Sequence, residues 1–330
     1  MEKKFKSYTG ICMAMVIFFY ANFSSAADFP TRPIEWYNPW GLGSVTGMVM
    51  KIVGDVASKD LGQNVLVLPA AGGGGIVGGT KVAKAKPDGY TLLLCNSATN
   101  ANVLYMKKDV PYSNSDFEFI AEVGGLELGL VVGPNSPFKT LEDYLEYAKK
   151  NPFAIKQATI GIGTSSHLCH ELLKLEAGNL KIDLVPYKTS TEVRTAVLGG
   201  HCQAAFTYGG VGGTGDEFRL ILESGGRILA VASKARLKPY PNVPTIAERG
   251  PNVVLSAWYG IAGPKGMPKE VSQKLKEAFY KALRDPQVIS DIEKVGFRHE
   301  FRTSEEFTSY IKEYEKLIKR IIEGAKIIPD

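Results

Sequence analysis

The stretch Ile34-Glu-Trp-Tyr-Asn-Pro-Trp-Gly-Leu-Gly-Ser-Val-Thr46 starts with β-branched and aromatic residues and ends in a turn rich in glycine and hydroxyl groups. Apolar residues then recur at helical spacing from Val49 to Val56, which predicts a strand, a turn and a helix in that order. The same order returns where residues 159–162 lead through Gly163-Thr-Ser-Ser166 into a second helical pattern. Strands that alternate with helices form parallel sheets covered on both faces, so the repeat predicts two α/β units.

Further strands are predicted from short apolar runs at residues 64–68, 90–95, 128–132, 184–187, 204–207 and 228–233. Thr140-Leu-Glu-Asp143 resembles a capping box that opens a helix. In the C-terminal part, one helix starts at Pro268 and is stopped by Asp285-Pro286, and a longer one is capped by Thr303-Ser-Glu-Glu306. The pattern alone is compatible with terminal helices that form a third layer and with helices that return to the first unit.

The chain has 330 residues, close to a two-domain length, and its composition of 45% apolar and 22% charged residues is that of a globular protein. The net charge of +5 is modest, and the basic residues are scattered among 34 acidic ones, which argues against nucleic acid as a partner. No apolar run reaches the ~18–20 residues of a membrane span. The composition therefore excludes disorder, collagen and coiled coil.

The N-terminus carries Lys3, Lys4 and Lys6, followed by an apolar stretch over residues 11–21 and by small residues ending at Ala27. This order is typical of a secretory signal peptide, here residues 1–27, with cleavage near Ala27. A membrane anchor is the alternative, and the short apolar run disfavours it. We therefore expect a soluble, exported protein.

The two turns of glycine and hydroxyl residues are candidate anion-binding groups. The first N–H groups of a helix lack internal partners and carry the positive end of the helix dipole, and glycine lets a ligand approach that backbone closely. Two such ends that face each other across a cleft would bind a carboxylate without lysine or arginine. The alternative is that Thr46 and Ser165 only cap their helices, but the occurrence of the pattern in both units favours a site.

Other motifs give little support for an enzyme. Gly73, Gly75 and Gly78 fit the dinucleotide pattern G-x-G-x-x-G, but the next strand ends without an acidic residue for a ribose hydroxyl. His167 and His170 have a spacing that could hold a metal, yet no third ligand follows a recognisable pattern, and no G-x-S-x-G nucleophile occurs. We therefore predict a protein without cofactor, metal or catalytic residues.

The three cysteines downstream of residue 27 are too few for a disulfide scaffold. Cys169 and Cys202 could pair in an oxidising compartment, and free buried thiols are the favoured interpretation. The distance between them is not set by the sequence.

Several motifs, in order along the chain, resemble one protein family. They are Pro39-Trp-Gly-Leu-Gly-Ser-Val-Thr46, Pro87-Asp-Gly-Tyr-Thr-Leu-Leu-Leu94, Gly161-Ile-Gly-Thr-Ser-Ser-His-Leu168 and Asn242-Val-Pro-Thr-Ile-Ala-Glu248. Together with Trp258-Tyr-Gly-Ile-Ala-Gly-Pro264, they resemble the periplasmic substrate-binding proteins of tripartite tricarboxylate transporters, also called the Bug family. The resemblance spans essentially the whole chain after residue 27.

The resemblance implies an α/β, two-lobed periplasmic binding protein of type II-like architecture, with two parallel-rich sheets flanked by helices and two crossover strands. Lobe 1 would comprise residues 28–127 plus 257–330 and lobe 2 residues 128–256, so that the terminal helices pack on lobe 1. It also implies a monomeric periplasmic receptor that closes on an organic carboxylate and delivers it to integral-membrane permease subunits. A sensor that feeds a signalling partner is an alternative, and a nucleotide- or zinc-dependent enzyme is a weaker one.

By position, the resemblance assigns ligand contacts to both sides of the cleft. The residues are Trp40, Gly43, Ser44, Val45, Thr46, Ser97, Thr99, Gly163, Thr164, Ser165, Ser166, Thr207 and Tyr208. The family usually has an aspartate at the position of Gly47 and commonly an acidic residue at that of Thr207. Because this chain lacks both, we expect a carboxylate ligand without an ammonium group, such as a di- or tricarboxylate or an aromatic acid resting on Trp40.

Overall fold

The computed structural model of the chain describes residues 29–40, 43–210 and 216–328. The predicted signal peptide lies outside the described residues, and so do Gly41 and Leu42 of the first turn. Within the described ranges, no helix has both the length and the apolar character needed to cross a membrane.

The described residues form ten strands and ten helices. The strands are β1 Ile34–Asn38, β2 Val65–Pro69, β3 Thr91–Asn96, β4 Phe117–Val132, β5 Lys156–Thr159, β6 Asp183–Pro186, β7 Ala204–Gly209, β8 Arg227–Val231, β9 Ala257–Pro264 and β10 Arg298–Arg302. The helices are α1 Val45–Leu61, α2 Ile76–Ala83, α3 Val103–Met106, α4 Leu141–Lys150, α5 Ser165–Glu176, α6 Ser190–Leu198, α7 Glu217–Glu223, α8 Lys269–Arg284, α9 Pro286–Lys294 and α10 Ser304–Gly324. A π-helical turn, Ala98–Asn102, precedes α3.

The strands form two sheets that share β4. In the first sheet, called lobe 1 below, the order is β2-β1-β3-β9-β4-β10, and β1, β2 and β3 are parallel. In the second sheet, lobe 2, the order is β6-β5-β7-β4-β8, and β5, β6 and β7 are parallel. β4 pairs with β9 as far as Leu126 and with β7 from Glu127 onward, so one strand passes between the sheets. This is the fold class that the sequence predicted.

The apolar cores lie between each sheet and its helices. In lobe 1, Trp36 of β1 is fully buried, and its ring centroid lies 5.4 Å from that of Phe279 of α8. In lobe 2, Phe206 of β7 and Leu168 of α5 are fully buried in one apolar cluster. Burial of each such side chain contributes about 1.5–3 kcal/mol, and it fixes the strand ends from which the two turns leave.

β4 is longer than predicted, because the apolar pattern indicated a strand only over residues 128–132. Its first half contains the acidic Glu122 and the flexible Gly124. Gly124 has a φ of +141° at a shift in register, and a Cβ there would collide with the backbone of Arg298. Glu122 is fully buried and ion-paired with Arg302 of β10. Its charge is therefore compensated by a strand that the sequence pattern did not predict.

The predicted helix signals are found in the structure, with one addition. Capping boxes begin α4 at Thr140 and α10 at Thr303. Pro286 follows the end of α8, as predicted, but it also begins α9, which the Asp285 carboxylate caps. Proline is favourable at the first helical position because its missing N–H would have no partner there.

The terminal helices pack differently from one another. α8 and α9 contact α1 of lobe 1, as the resemblance implied. α10 also packs on lobe 1, where it contacts β4, β10, the π-helical turn and α3, and in addition it contacts α5 of lobe 2. The Trp258 ring of β9 meets the rings of Phe307 and Tyr314 edge-on, with centroids 5.3 and 5.8 Å apart. The last helix therefore spans the junction of the two lobes.

Candidate functional site

The first predicted turn follows β1, next to the residues that follow β3. Because β1 and β3 are parallel neighbours, their carboxyl ends lie at the same edge of the sheet. Ser44 caps α1, and its Oγ accepts a hydrogen bond from the Gly47 N–H at 3.3 Å. Thr46 is therefore not the cap. Its Oγ1 accepts from Asn38 Nδ2 at 3.3 Å and lies 2.8 Å from Ser44 Oγ, which anchors Thr46 to the end of β1.

Trp40, Gly43 and Val45 complete this first turn. The Trp40 N–H donates to Asn38 Oδ1 at 3.0 Å, and Trp40 and Val45 are half-buried against the lobe 1 core. Gly43 is exposed, and apart from its chain neighbours no atom of the described residues lies within 4 Å of the position that a Cβ would take. The backbone at Gly43 is accordingly open to an approaching ligand.

Ser97 and Thr99 follow β3 and are both buried. The Asn96 side chain orders this segment: its Nδ2 donates to Thr99 Oγ1 at 2.5 Å, and its Oδ1 accepts from the Thr99 N–H at 3.1 Å. Gly75 packs closely here, since a Cβ on it would lie 2.9 Å from Thr99 Oγ1. The glycine run around Gly75 is thus a close-packed turn against the Thr99 segment.

The second predicted turn begins α5. Thr164, not Ser165, is its cap, and Thr164 Oγ1 accepts from the His167 N–H at 3.3 Å. Gly163 has a φ of +85°, and its N–H donates to His167 Nδ1 at 3.2 Å. Ser166 is fully buried, and its Oγ donates to the Phe206 carbonyl at 2.6 Å. Ser165 occupies the first position of the helix and does not cap it.

Residues of the two lobes meet directly at these turns. Ser97 Oγ of lobe 1 lies 3.2 Å from Ser165 Oγ of lobe 2. Asn102 Nδ2, in the π-helical turn, donates to the Gly163 carbonyl at 2.9 Å. The lobe 1 partners in both contacts belong to the segment after β3. The hydrogen bonds described for Thr46, in contrast, are to Asn38 and Ser44 of the same lobe.

Tyr208 and Thr207 lie on β7 and point to opposite faces of the sheet, as neighbours in a strand do. Tyr208 is half-buried and packs against apolar residues of both main core clusters. Burial raises the pKa of Tyr208 to about 12, and the neighbouring polar groups of residues 164–166 only partly offset the rise. Thr207 is 2% exposed, and its Oγ1 has no hydrogen-bond partner among the described residues.

The structure adds Asn38, Asn96, Asn102 and Tyr314 to the groups around the two turns. The three asparagines lie just before or within turns, where a side-chain amide commonly forms a hydrogen bond with the backbone. Their positions in the sequence could therefore have identified them as residues that order the turns. Tyr314 gave no such signal, because it falls in the apolar stripe of α10 like any core residue. Its helix contacts both α5, which begins at Ser165, and the π-helical turn that follows Ser97.

A cavity of about 810 Å³ lies where the two lobes and α10 meet. Its lining includes Glu127, Arg298 and Tyr310, together with Tyr314. None of the residues that the sequence assigned to the ligand lines it.

The histidines and cysteines of the site region are buried. Among the described residues, no group of three His, Cys, Asp or Glu side chains is placed to hold a metal. Cys169 and Cys202 are free and buried, in agreement with the favoured interpretation. Burial lowers the pKa of His167 from 6.5 to about 4, and its Nδ1 must be unprotonated to accept from Gly163.

Acid is expected to destabilise the protein through His167. The unfolded chain binds a proton at His167 near pH 6.5 and the folded chain only near pH 4, so this contribution is complete above 6.5 and is lost as pH falls through 4. His167→Gln, which cannot titrate, should flatten the fall of the melting temperature between pH 6.5 and 4. His201→Gln, at an exposed histidine, is the control and should keep the wild-type profile. Equal profiles for all three proteins would contradict the assignment.

Two parallel-rich lobes that share a passing strand, with polar turns of both lobes in contact, define a solute-binding receptor. The family described as "Tripartite tricarboxylate transporter family receptor" matches residues 49–327, and the chain belongs to this family. The family consists of receptors and not of enzymes, as the sequence predicted.

Similar proteins agree with this assignment. Protein BugT of Bordetella pertussis is 32% identical over 272 residues, which is 80% of each sequence. The structure of periplasmic binding protein BugD has a TM-score of 0.75 at 27% identity and covers 91% of this chain and 99% of its own. A structure titled R. palustris Rpa4515 with adipate has the same fold, with a TM-score of 0.79 at 23% identity over 92% of this chain and all of that one.

Proposed function

We propose that the protein is a periplasmic receptor that captures a small organic carboxylate between its lobes and delivers it to the permease subunits of a tripartite tricarboxylate transporter. The signal peptide of residues 1–27 would direct export and be cleaved near Ala27. The mature protein would act as a monomer. Lobe 1 would comprise residues 28–127 plus 257–330, and lobe 2 residues 128–256.

One observation carries the proposal: hydroxyl groups of both lobes converge at the start of α5. Ser97 and Ser165 are buried and in contact there, beside the N–H groups of the first helical turn. A helix N-terminus favours an anion, and each hydrogen bond to a charged group contributes about 1.5–3 kcal/mol. A few such bonds are enough for micromolar affinity. All of the residues proposed to bind the ligand, from Trp40 to Tyr208, are electrically neutral.

The same neutrality supports an acid that lacks an ammonium group. An ammonium buried in the cleft would need an acidic partner. The family resemblance implies acidic residues at the positions of Gly47 and Thr207, and in this chain Thr207 offers only a hydroxyl. The adipate in the R. palustris structure makes a dicarboxylate a sensible first probe.

Capture would couple to closure of the lobes around the two strand connections. β4 changes partners between Leu126 and Glu127, and the second connection enters β9 at Ala257. Periplasmic binding proteins close by such hinges. A bound carboxylate would add contacts to both turns and so favour the closed arrangement.

The proposal is tested by a thermal-shift screen of the protein recovered from a periplasmic fraction. The panel contains mono-, di- and tricarboxylates, including adipate, and aromatic acids, each paired with its neutral amide; glucose is an uncharged control. A ligand at 100 times its Kd stabilises the native state by about 2.7 kcal/mol, so a bound acid raises the melting temperature and its amide does not. A shift with glucose, or none with any acid, would overturn the proposal. The mass of the protein tests cleavage near Ala27.

A further inference from the structure

The Tyr314 hydroxyl is a buried polar group without a satisfied hydrogen bond. Tyr314 lies on α10 and is 5% exposed, and its oxygen has no partner of good geometry among the described residues. Its neighbours in the same buried stripe, Phe307, Ile311 and Ile318, carry no polar atom in their side chains. An unpaired buried hydroxyl costs free energy that an apolar residue would avoid, so its presence calls for a partner outside the protein.

The position of Tyr314 indicates where that partner binds. Its helix α10 contacts α5, which begins at Ser165 of lobe 2, and the π-helical turn that directly follows Ser97 of lobe 1. Burial raises the pKa of Tyr314, and the side chains of Ser165 and Ser97 lower it. The two serine oxygens are 3.2 Å apart, whereas a good O–H···O bond spans ~2.7–2.8 Å. This long contact is one that an accepting ligand oxygen can replace.

We propose that Tyr314 is a ligand-binding and specificity-determining residue, which donates its phenolic O–H to the carboxylate held by Ser97 and Ser165. The inference rests on the proposed function and extends the site to a third element, α10. Three hydroxyl donors from three elements suit a group with two accepting oxygens and no donor of its own. The site is thereby selective for a free carboxylate over its amide, whose NH₂ would face donors.

The orientation of the ring is already fixed by its packing. The Trp258 ring meets that of Tyr314 at 89°, and the centroid of Tyr310 lies 6.2 Å away. Because the ring is held by contacts that phenylalanine keeps, Tyr314→Phe removes only the hydroxyl. Tyr310→Phe is a matched control one turn earlier on the same helix. The Tyr310 ring lies 4.3 Å from the Arg302 guanidinium carbon, and neither Ser97 nor Ser165 affects the pKa of Tyr310.

The experiment is isothermal titration of the two variants and the wild type with the acid that gives the largest thermal shift in the panel. We expect Tyr314→Phe to bind it about 10- to 100-fold more weakly, and Tyr310→Phe to bind it normally. Melting of the unliganded proteins checks that both variants fold. Equal affinities for Tyr314→Phe and the wild type would overturn the inference and leave the proposed function standing, whereas a panel without any binding acid would overturn both.

A second comparison separates direct contact from positioning. If Tyr314 only held Ser97 in place, its loss would have no further effect in a Ser97→Ala protein. If it contacts the ligand, Tyr314→Phe weakens binding by a similar factor in the wild-type and Ser97→Ala backgrounds. The comparison remains valid if Tyr314→Phe lowers the melting temperature. The substitution then destabilises the wild-type and the Ser97→Ala protein alike, and the ratio of their affinities still distinguishes ligand contact from positioning.

Discussion

A chain that carries both Thr46→Val and Ser165→Ala is expected to lose carboxylate affinity by about 100- to 10,000-fold. The two residues lie in different lobes, so their contributions should add. Each hydroxyl is assigned one hydrogen bond to the ligand, worth about 1.5–3 kcal/mol, and each 1.4 kcal/mol corresponds to a factor of ten. Titration with the acid selected by the panel measures the loss.

The same variant should still fold, at a cost of about 1–3 kcal/mol, because Thr46→Val removes an acceptor of the buried Asn38 amide. Ser44 and Thr164 cap the two helices, so neither substitution removes a cap. Ser190→Ala is the matched control, because Ser190 also occupies the first position of a helix in lobe 2, behind the cap Thr189. Normal carboxylate binding by the double variant would contradict the proposal that the Thr46 and Ser165 hydroxyls contact the ligand.

The general architecture could be predicted because its signals are local. A run of apolar residues, a glycine turn and a helical stripe are each written in neighbouring residues, as at Ile34 to Thr46. The two turns of the site could be predicted for the same reason, since a hydroxyl residue next to a glycine at the end of a strand is recognisable from the local sequence. The alternative in which Thr46 and Ser165 cap their helices does not hold, because Ser44 and Thr164 are the caps; the sequence did not distinguish these neighbouring hydroxyls.

What could not be predicted depends on contacts between distant segments. β10 reads Arg-His-Glu-Phe-Arg and has no apolar alternation, and it is a strand because Arg302 pairs with the buried Glu122 of β4. For Tyr314 the sequence pattern likewise predicts only a core position. Its location near both lobes follows from the packing of α10, which contacts elements of each. The meeting of Ser97 and Ser165 joins positions 68 residues apart, and no local pattern encodes it.

Gly260→Ala is expected to destabilise the protein by about 3 kcal/mol or more, the upper end of the usual cost of overpacking. Gly260 lies on β9 between β3 and β4. A Cβ there would collide with the ring of Phe307 and lie 2.6 Å from the Ala121 carbonyl oxygen. Phe307 is fully buried and cannot move aside, so α10 must shift away from the sheet.

Because α10 also carries Tyr314, Gly260→Ala should weaken ligand binding as well as folding, a combination that denaturant unfolding and titration measure on one sample. Gly54→Ala in α1 is the control: its Cβ would lie 3.4 Å from Val65, at ordinary contact distance. Alanine in a helix interior gains roughly 0.5–1 kcal/mol over glycine, so this variant should be at least as stable as the wild type. Wild-type stability for Gly260→Ala would show that α10 does not pack on β9 as described. The position of Tyr314 between the lobes would then also be wrong.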